Sequence, residues 1–511
     1  MKSYNFRTLM IFILLIVITF SCVASFASCA NDSISSVTNP TDEKSSDSAD
    51  GDTVQESTED PYDPKLPPED FNGTDFRILN INQDSMWWTI IDLDIEADLI
   101  DAPSTAVTDY VVNDAIYKRN RTVEAKYNFV IKETKEPSNK VFTMIRNSVK
   151  AGTDDFDLVA PTVQNAAALA AENCLVDLTK VPNLNFEKIW WNDSANRYFS
   201  IGNRLFFACS DFTLADKDNV GMTMYNKKLS EKLGIDSAET LYRLVDEGKW
   251  TFDKFTELCK TANADLDGDG LIKGDGDRYG LVCCSWLYNT MLAGFGEPVI
   301  KKDSDDMPYI ACKTERFASA YKDMVEFMLQ RDVVCREFID VPGKTEDIFV
   351  DDKALFCIQV LAAVRHYKNM GSDFALLPMP KYNETQESYY SAGFWSSILA
   401  IPTTNPDIEK TGFILEALSA ESTRTVIPAY YEISIGTKYL RDDDSIRMLD
   451  IILQNRIYDI NEMIYNWAGF NSALSSAAVS GNVNVTSLIE RFESKIEAAM
   501  QKTVTAYDEI E

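Results

Sequence analysis

Apolar residues along this chain switch between two periods. Asp75 to Asn82 (DFRILNIN) carries them at alternate positions, which predicts a strand. Asp109 to Asn128 (DYVVNDAIYKRNRTVEAKYN) moves them to helical spacing, and Phe129 to Thr134 (FVIKET) returns to a strand pattern. A helix at 140–152 (KVFTMIRNSVKAG), a strand at 156–161 (FDLVAP) and a small-residue helix at 163–172 (VQNAAALAAE) follow. Strand and helix in alternation predict a doubly wound α/β layer with parallel strands. Ligands of such sheets sit beyond the C-terminal strand ends, which singles out the loop from Pro161 to Gln164.

From about Met222 onward helical patterns dominate: NKKLSEKLG, AETLYRLVDEG, TFDKFTELCKTA and, after an Asp-rich loop, ERFASAYKDMVEFMLQR. Strand-like pieces return at KALFCIQVLAAV, FALLPMP and SSILAIP, and the C-terminal stretch ending in VTSLIERFESKIEAAMQKTV is helical again. The chain carries no internal repeat.

The first residues follow different rules. Lys2 and Arg7 form a short basic region before an apolar run, Leu9 to Phe20, broken only by Thr19, too short to span a bilayer comfortably and typical of a secretory signal. Phe26 to Cys29 (FASC) places small residues at the two positions before a cysteine, which resembles a bacterial lipobox, with Cys29 as the lipidated residue. TFSC, ending at Cys22, matches less well, and an ordinary cleaved signal peptide is the alternative. Residues 1–28 are therefore read as a lipoprotein signal peptide. Residues 29–71 read as an acidic, Ser/Thr-rich tether, because a segment so poor in large apolar residues cannot offset its ordering entropy.

Composition narrows the function. With 80 acidic against 49 basic residues the net charge is −31, which opposes nucleic acid or an anionic membrane surface as partner. Ten cysteines include Cys22 and Cys29; the others form no CxxC, and the adjacent Cys283 and Cys284 suit neither a framework disulfide nor a zinc site. Mostly free, buried thiols are expected, with room for one disulfide.

Several stretches together resemble the extracellular solute-binding proteins of ABC importers, the family-1 type that includes maltose-binding protein. They are VNDAIYKRNRTVEAKYNF, FDLVAPTVQNAAALAAENCLVDLT, GMTMYNKKLSEKLGI, GKWTFDKFTELC, DGDRYGL, FALLPMPKY, SILAIPTTNPDIEKTGFILEALS and VIPAYYE. The resemblance covers nearly all of the chain after the tether. It implies an α/β, two-lobe periplasmic-binding-protein-like fold with a ligand cleft between the lobes. Lobe one would hold 72–212 plus 396–440, and lobe two 220–393 plus 441–511, with crossings near ACSDFTLADKDN and GFWSS. It further implies a monomeric, lipid-anchored protein on the extracellular face of the cell membrane. Such a protein captures a carbohydrate, on the family pattern an oligosaccharide, and delivers it to the permease subunits. A sensing or adhesion module on the same fold is the alternative.

A sugar site needs flat aromatic platforms and fixed hydrogen-bond partners. Of eight tryptophans, the resemblance points to Trp286 after YGL, Trp395 at the second crossing and Trp467 in YNWAGF, each weighed against core packing. Trp87, Trp88, Trp190, Trp191 and Trp250 are read as packing residues. The polar candidates are Thr162 and Gln164, Ser210 and Asp211 at the first crossing, and Arg365 after ALFCIQV. His366, the single histidine, follows Arg365 and is read as a surface or structural residue ahead of a ligand contact. LAAVRHY stands where maltose-binding protein has a Gly–Pro–Trp turn, so maltodextrin specificity does not carry over.

The loop ADLDGDGLIKGDGDRYGL has calcium-like spacing: Asp265, Asp267 and Asp269 converge, Gly270 permits the turn, and the Leu271 carbonyl adds an oxygen. Gly276 stands where an EF-hand has its bidentate Glu, so Asp275 and Asp277 are the substitutes. The loop is expected to be a structural calcium clip; a solvated turn is the alternative. Catalysis is not expected: GxSxG, HExxH and a phosphate loop are all missing, and no carboxylate pair stands out as a glycosidase would require.

Overall fold

Two separate β-sheets organise the chain. The computed structural model describes residues 60–86, 88–90, 92–94, 110–284, 288–337, 339–341, 345–394, 396–431 and 443–510. Cys29, Trp286 and Trp395, with the signal segment and the tether up to residue 59, lie outside the described residues. The described residues belong to a unit that spans 59–511.

The first sheet is parallel, in the order β2–β1–β3, with β1 (Thr74–Ile81) between β2 (Phe129–Glu136) and β3 (Leu158–Ala160). Helices α1 (Tyr110–Tyr127), α2 (Ser138–Ala151) and α3 (Val163–Ala171) make the crossovers that the switching period predicts. The strand expected over 396–402 joins this sheet through a single bridge, Val159 to Ala400, and also bridges Ala208 through Leu399 and Leu175 through Pro402. Pro402 has no N–H to give a ladder, and the Thr403 N–H donates to the Cys174 carbonyl instead. After α4 (Asp193–Phe199) the chain leaves through a first crossing that contains one short buried helix, α5 (Ala215–Asp218).

The second sheet runs β10–β4–β9–β5–β8. Its strands are β4 (Gly221–Asn226), β5 (Tyr279–Cys283), β8 (Val334–Arg336), β9 (Ala354–Val360) and β10 (Phe374–Leu377). A hairpin of β6 (Ile300–Lys302) and β7 (Pro308–Ile310) lies outside this sheet. Both β4 and β9 are buried along their whole length, as strands covered on two faces must be. β5, β8 and β9 are mutually parallel, whereas β4 runs antiparallel to β9 with Gly221 opposite Val360. This register turns the C-terminal ends of the three parallel strands toward the crossing.

Helices α6 (Lys227–Leu233), α7 (Ala238–Asp246), α8 (Phe252–Ala262), α9 (Tyr288–Gly294), α10 (Glu315–Met328) and α11 (Thr345–Val350) complete this lobe. The side chains of Asn226, Ser237, Thr251 and Thr314 cap α6, α7, α8 and α10 by accepting backbone N–H bonds, which explains where each helix starts. α8 lies so close to β5 that a Cβ on Gly280 would stand 2.1 Å from the Cys259 carbonyl oxygen.

The chain returns through β11 (Ser391–Ala392), which pairs with β12 (Arg456–Ile457). α12 (Ile408–Pro428) then packs on α1, and α13 (Asp443–Gln454) packs on β10. α14 (Phe470–Val479) and α15 (Val485–Asp508) end the fold. α15 touches α10 of the second lobe and also α3 of the first, and Tyr507 near its end packs on Phe206 with ring centroids 4.6 Å apart. Residues 60–71, read from sequence as tether, are docked on the first lobe. Phe71 meets Phe413 edge-on at 5.4 Å, its N–H donates to the Tyr127 carbonyl, and Asp60 pairs with Arg424 at 2.6 Å. Leu66 and Phe71 pack against the core, and the Arg424 guanidinium lies over the Tyr62 ring.

Candidate functional site

The C-terminal ends of both sheets' parallel strands converge on the first crossing, residues 209–220. On the first-lobe side, Thr162 follows β3 and caps α3 by accepting the Asn165 N–H, while its backbone bridges to Ser397. Gln164 donates Nε2 to the Met463 carbonyl at 2.7 Å, tying α3 to the segment before Trp467.

The crossing itself is a chain of buried charges. Ser210 shares a 2.8 Å hydroxyl contact with Ser419 of α12. The Asp211 carboxylate accepts from Thr423 at 2.7 Å and lies 3.1 Å from Lys217 Nζ. Asp216 contacts Lys217 at 2.9 Å and Arg456 at 3.4 Å. Burial opposes the charge on Lys217, but Asp216 and Asp211 outweigh it and raise its pKa. Burial raises Asp211 in turn.

Asp218 ends this chain and joins four elements. Arg365 grips it with two prongs, Nη1 to Oδ1 at 2.6 Å and Nη2 to Oδ2 at 2.8 Å. Thr89 Oγ1 donates at 2.7 Å, the Ile90 N–H at 2.9 Å, and the Tyr430 hydroxyl completes the set. Burial alone would push Asp218 upward, but Arg365 and these donors hold it below the usual carboxylate range. Arg365, named from sequence as a ligand candidate, therefore stands at the junction with its guanidinium held on an internal carboxylate. It also donates to the Trp88 carbonyl at 3.3 Å.

The other expected residues divide. Trp467 is buried, donates Nε1 to Thr503 at 3.0 Å, and stacks parallel on Tyr465 at 4.6 Å, so its ring faces the core. Trp286 and Trp395 fall outside the described residues. Trp88, read as a packing residue, is half-buried at the junction, with Nε1 on Asn219 at 2.9 Å. It packs against the larger apolar core, in keeping with its reading as a packing residue. Asp218 was not singled out from sequence, since nothing local distinguishes it among so many acids.

In the Asp-rich loop, the carboxylates of Asp265, Asp267 and Asp269 offer oxygens within 4.8 Å of one another, all exposed. Asp265 also accepts the N–H groups of Gly268 at 2.6 Å and Gly270 at 2.8 Å, where Gly270 has φ +87°. Asp275 and Asp277 stand outside this cluster. Asp277 is buried and accepts from the Leu266 and Lys273 N–H groups, each at 2.8 Å, so it closes the loop from inside. Leu271 donates its N–H to Asp269, and Lys273 Nζ lies 2.7 Å from Asp269.

A family model described as bacterial extracellular solute-binding protein matches residues 120–444, more than half of the chain. No curated protein sequence matches it. Among solved structures, an ABC substrate-binding protein from Listeria monocytogenes in complex with cycloalternan is similar, with 13% identity, TM-score 0.53 and coverage of 84% of this chain and 99% of that one. The cyclic α-maltosyl-1,6-maltose binding protein from Arthrobacter globiformis has 13% identity, TM-score 0.51 and coverage of 85% and 99%. A Mycobacterium tuberculosis protein in complex with glycerophosphocholine has 14% identity, TM-score 0.50 and coverage of 76% and 96%. At such identities the likeness is one of fold, and that fold is the two-lobe binding-protein architecture.

Proposed function

Because the chain belongs to the bacterial extracellular solute-binding protein family, we propose that it captures an oligosaccharide between its lobes and presents it to the permease of an ABC importer. The observation that carries this reading is the convergence of both sets of strand ends on one crossing, where Arg365 of the second lobe meets the first-lobe loop at Trp88 to Ile90. In an open α/β sheet that is where a ligand sits. Two of the similar folds are named for cyclic oligosaccharides. The reading is one of binding without turnover, with lobe closure as the signal to the permease. Trp88 is its described platform, and Thr162, Gln164, Trp286 and Trp395 are its further candidates.

Thermal unfolding of the full chain against maltotriose, mannotriose and a cyclic glucan tests the reading. A ligand that binds only the folded state raises the midpoint by mass action. No shift with any oligosaccharide contradicts it. Cys29 carries the lipid in this account, which predicts that Cys29→Ala abolishes incorporation of a labelled fatty acid.

The cluster of Asp265, Asp267 and Asp269 supports a second, structural role, a calcium clip beside β5. Calcium would replace the Lys273 ammonium on Asp269.

A further inference from the structure

Among the described residues, one buried carboxylate at the strand ends of the second lobe has no charge partner. Glu337 directly follows β8 and is 6% exposed. Its Oε2 accepts the thiol proton of Cys284, the residue after β5, at 2.7 Å. Gln359, the penultimate residue of β9, donates Nε2 to the same sulfur at 3.3 Å and to Glu346 Oε1, in the first turn of α11, at 3.2 Å. Four polar side chains thus form one line across three neighbouring strand ends. Cys284 and Gln359 are buried as deeply as Glu337, at 4% and 5% exposed.

Among the described residues no lysine or arginine forms an ion pair with Glu337, and Cys284 is the side chain that donates to it. Arg336, its neighbour in sequence, turns to the other face and pairs with Asp340 at 2.7 Å. A thiol is a weak donor, and a carboxylate offers about four lone-pair sites. Such a group is costly in the interior unless something else supplies donors. Its position, beyond the C-terminal ends of parallel strands, is where a ligand can do so.

We propose that Glu337, Cys284 and Gln359 form the second lobe's half of the solute site and select a sugar that presents hydrogen-bond donors, neutral or amino-bearing, while rejecting anionic sugars. The proposal rests on the carbohydrate reading. A hydroxyl pair or an ammonium group satisfies the Glu337 oxygens; a uronate or phosphate ester places like charge against them in a dry site.

The test is titration calorimetry on the full chain, wild type and Glu337→Gln, with maltotriose, mannotriose, a glucosamine trimer and a galacturonate trimer, plus the ligand-free melting temperature of both proteins. The expected result is binding of a neutral or amino trimer by wild type and none of galacturonate. Glu337→Gln should weaken that binding about tenfold to a hundredfold. Its ligand-free melting temperature should be unchanged or higher, because a buried charge is gone; a purely structural role would lower it. Unchanged affinity in Glu337→Gln overturns the proposal and leaves the carbohydrate reading standing. Preference of wild type for galacturonate overturns it without need of the variant. Absence of binding to every trimer by folded wild type overturns both.

Discussion

Arg365 and Asp218 form a two-pronged ion pair, at 2.6 Å and 2.8 Å, that fastens the second lobe to the first crossing. Neither side chain is accessible to solvent beyond a few per cent. Removing one partner leaves the other charged and buried. Arg365→Ala should therefore lower the unfolding free energy by about 3–5 kcal/mol. Arg365→Lys should recover only part of the loss, since an ammonium lacks the fork. Because Asp218 is held below its usual pKa, its contribution is present above about pH 4 and disappears as pH falls through the folded value. Urea denaturation at pH 7 checks the first two; a loss under about 1 kcal/mol, the size of an exposed pair, would contradict them.

Glu416 behaves oppositely. It lies in the middle of α12 and is buried, with Oε2 accepting from Trp191 Nε1 at 2.9 Å and Oε1 without a partner among the described residues. Burial pushes its carboxyl up to about 7. A raised folded-state pKa gives stability that is complete below the unfolded value, near 4.5, and lost as pH rises through the folded one. The stability of wild type relative to Glu416→Gln should thus fall by on the order of 2–3 kcal/mol between about pH 4.5 and pH 7.5. Melting curves of both proteins across that range measure it, and a flat difference would refute the assignment.

Eight cysteines in the described residues are buried and unpaired: Cys174, Cys209, Cys259, Cys283, Cys284, Cys312, Cys335 and Cys357. Burial raises the thiol pKa at each of Cys209, Cys259, Cys283 and Cys357. A thiol reagent should leave these eight unmodified in the native protein and label all of them in denaturant. Reductant should not change the melting temperature; a marked drop would reveal a disulfide.

Lys273 sits on Asp269 and competes with any cation in the Asp-rich loop. Lys273→Ala should tighten calcium binding about two- to fivefold, the worth of an exposed ion pair. Asp267→Asn should abolish the calcium-dependent rise in melting temperature without changing the calcium-free value. If calcium leaves the wild-type midpoint unchanged, the loop is a solvated turn.

Much of this arrangement was legible in the sequence wherever it is local. The switch of period between Asp75 and Ala171 predicts the parallel first sheet, whereas Thr162, named from sequence as a ligand candidate, turns out to cap α3. What was not legible depends on distant partners. Ser210 and Asp211 were recognised as crossing residues, yet Ser419 and Thr423, which hold them, lie more than two hundred positions away. The run ALFCIQVLAAV gives no sign that the strand stops at Val360 and a 3-10 helix begins at Leu361, because both forms are buried there. Asp218 and Glu337 are two acids among 80, and burial, which makes them matter, leaves no mark in composition.

The most direct test of the central claim is calorimetric titration of the full chain with neutral oligosaccharides. The account predicts saturable one-to-one binding to at least one of them, with the negative heat-capacity change of buried apolar surface. A cooperatively folded protein that yields no saturable heat with any oligosaccharide would contradict it.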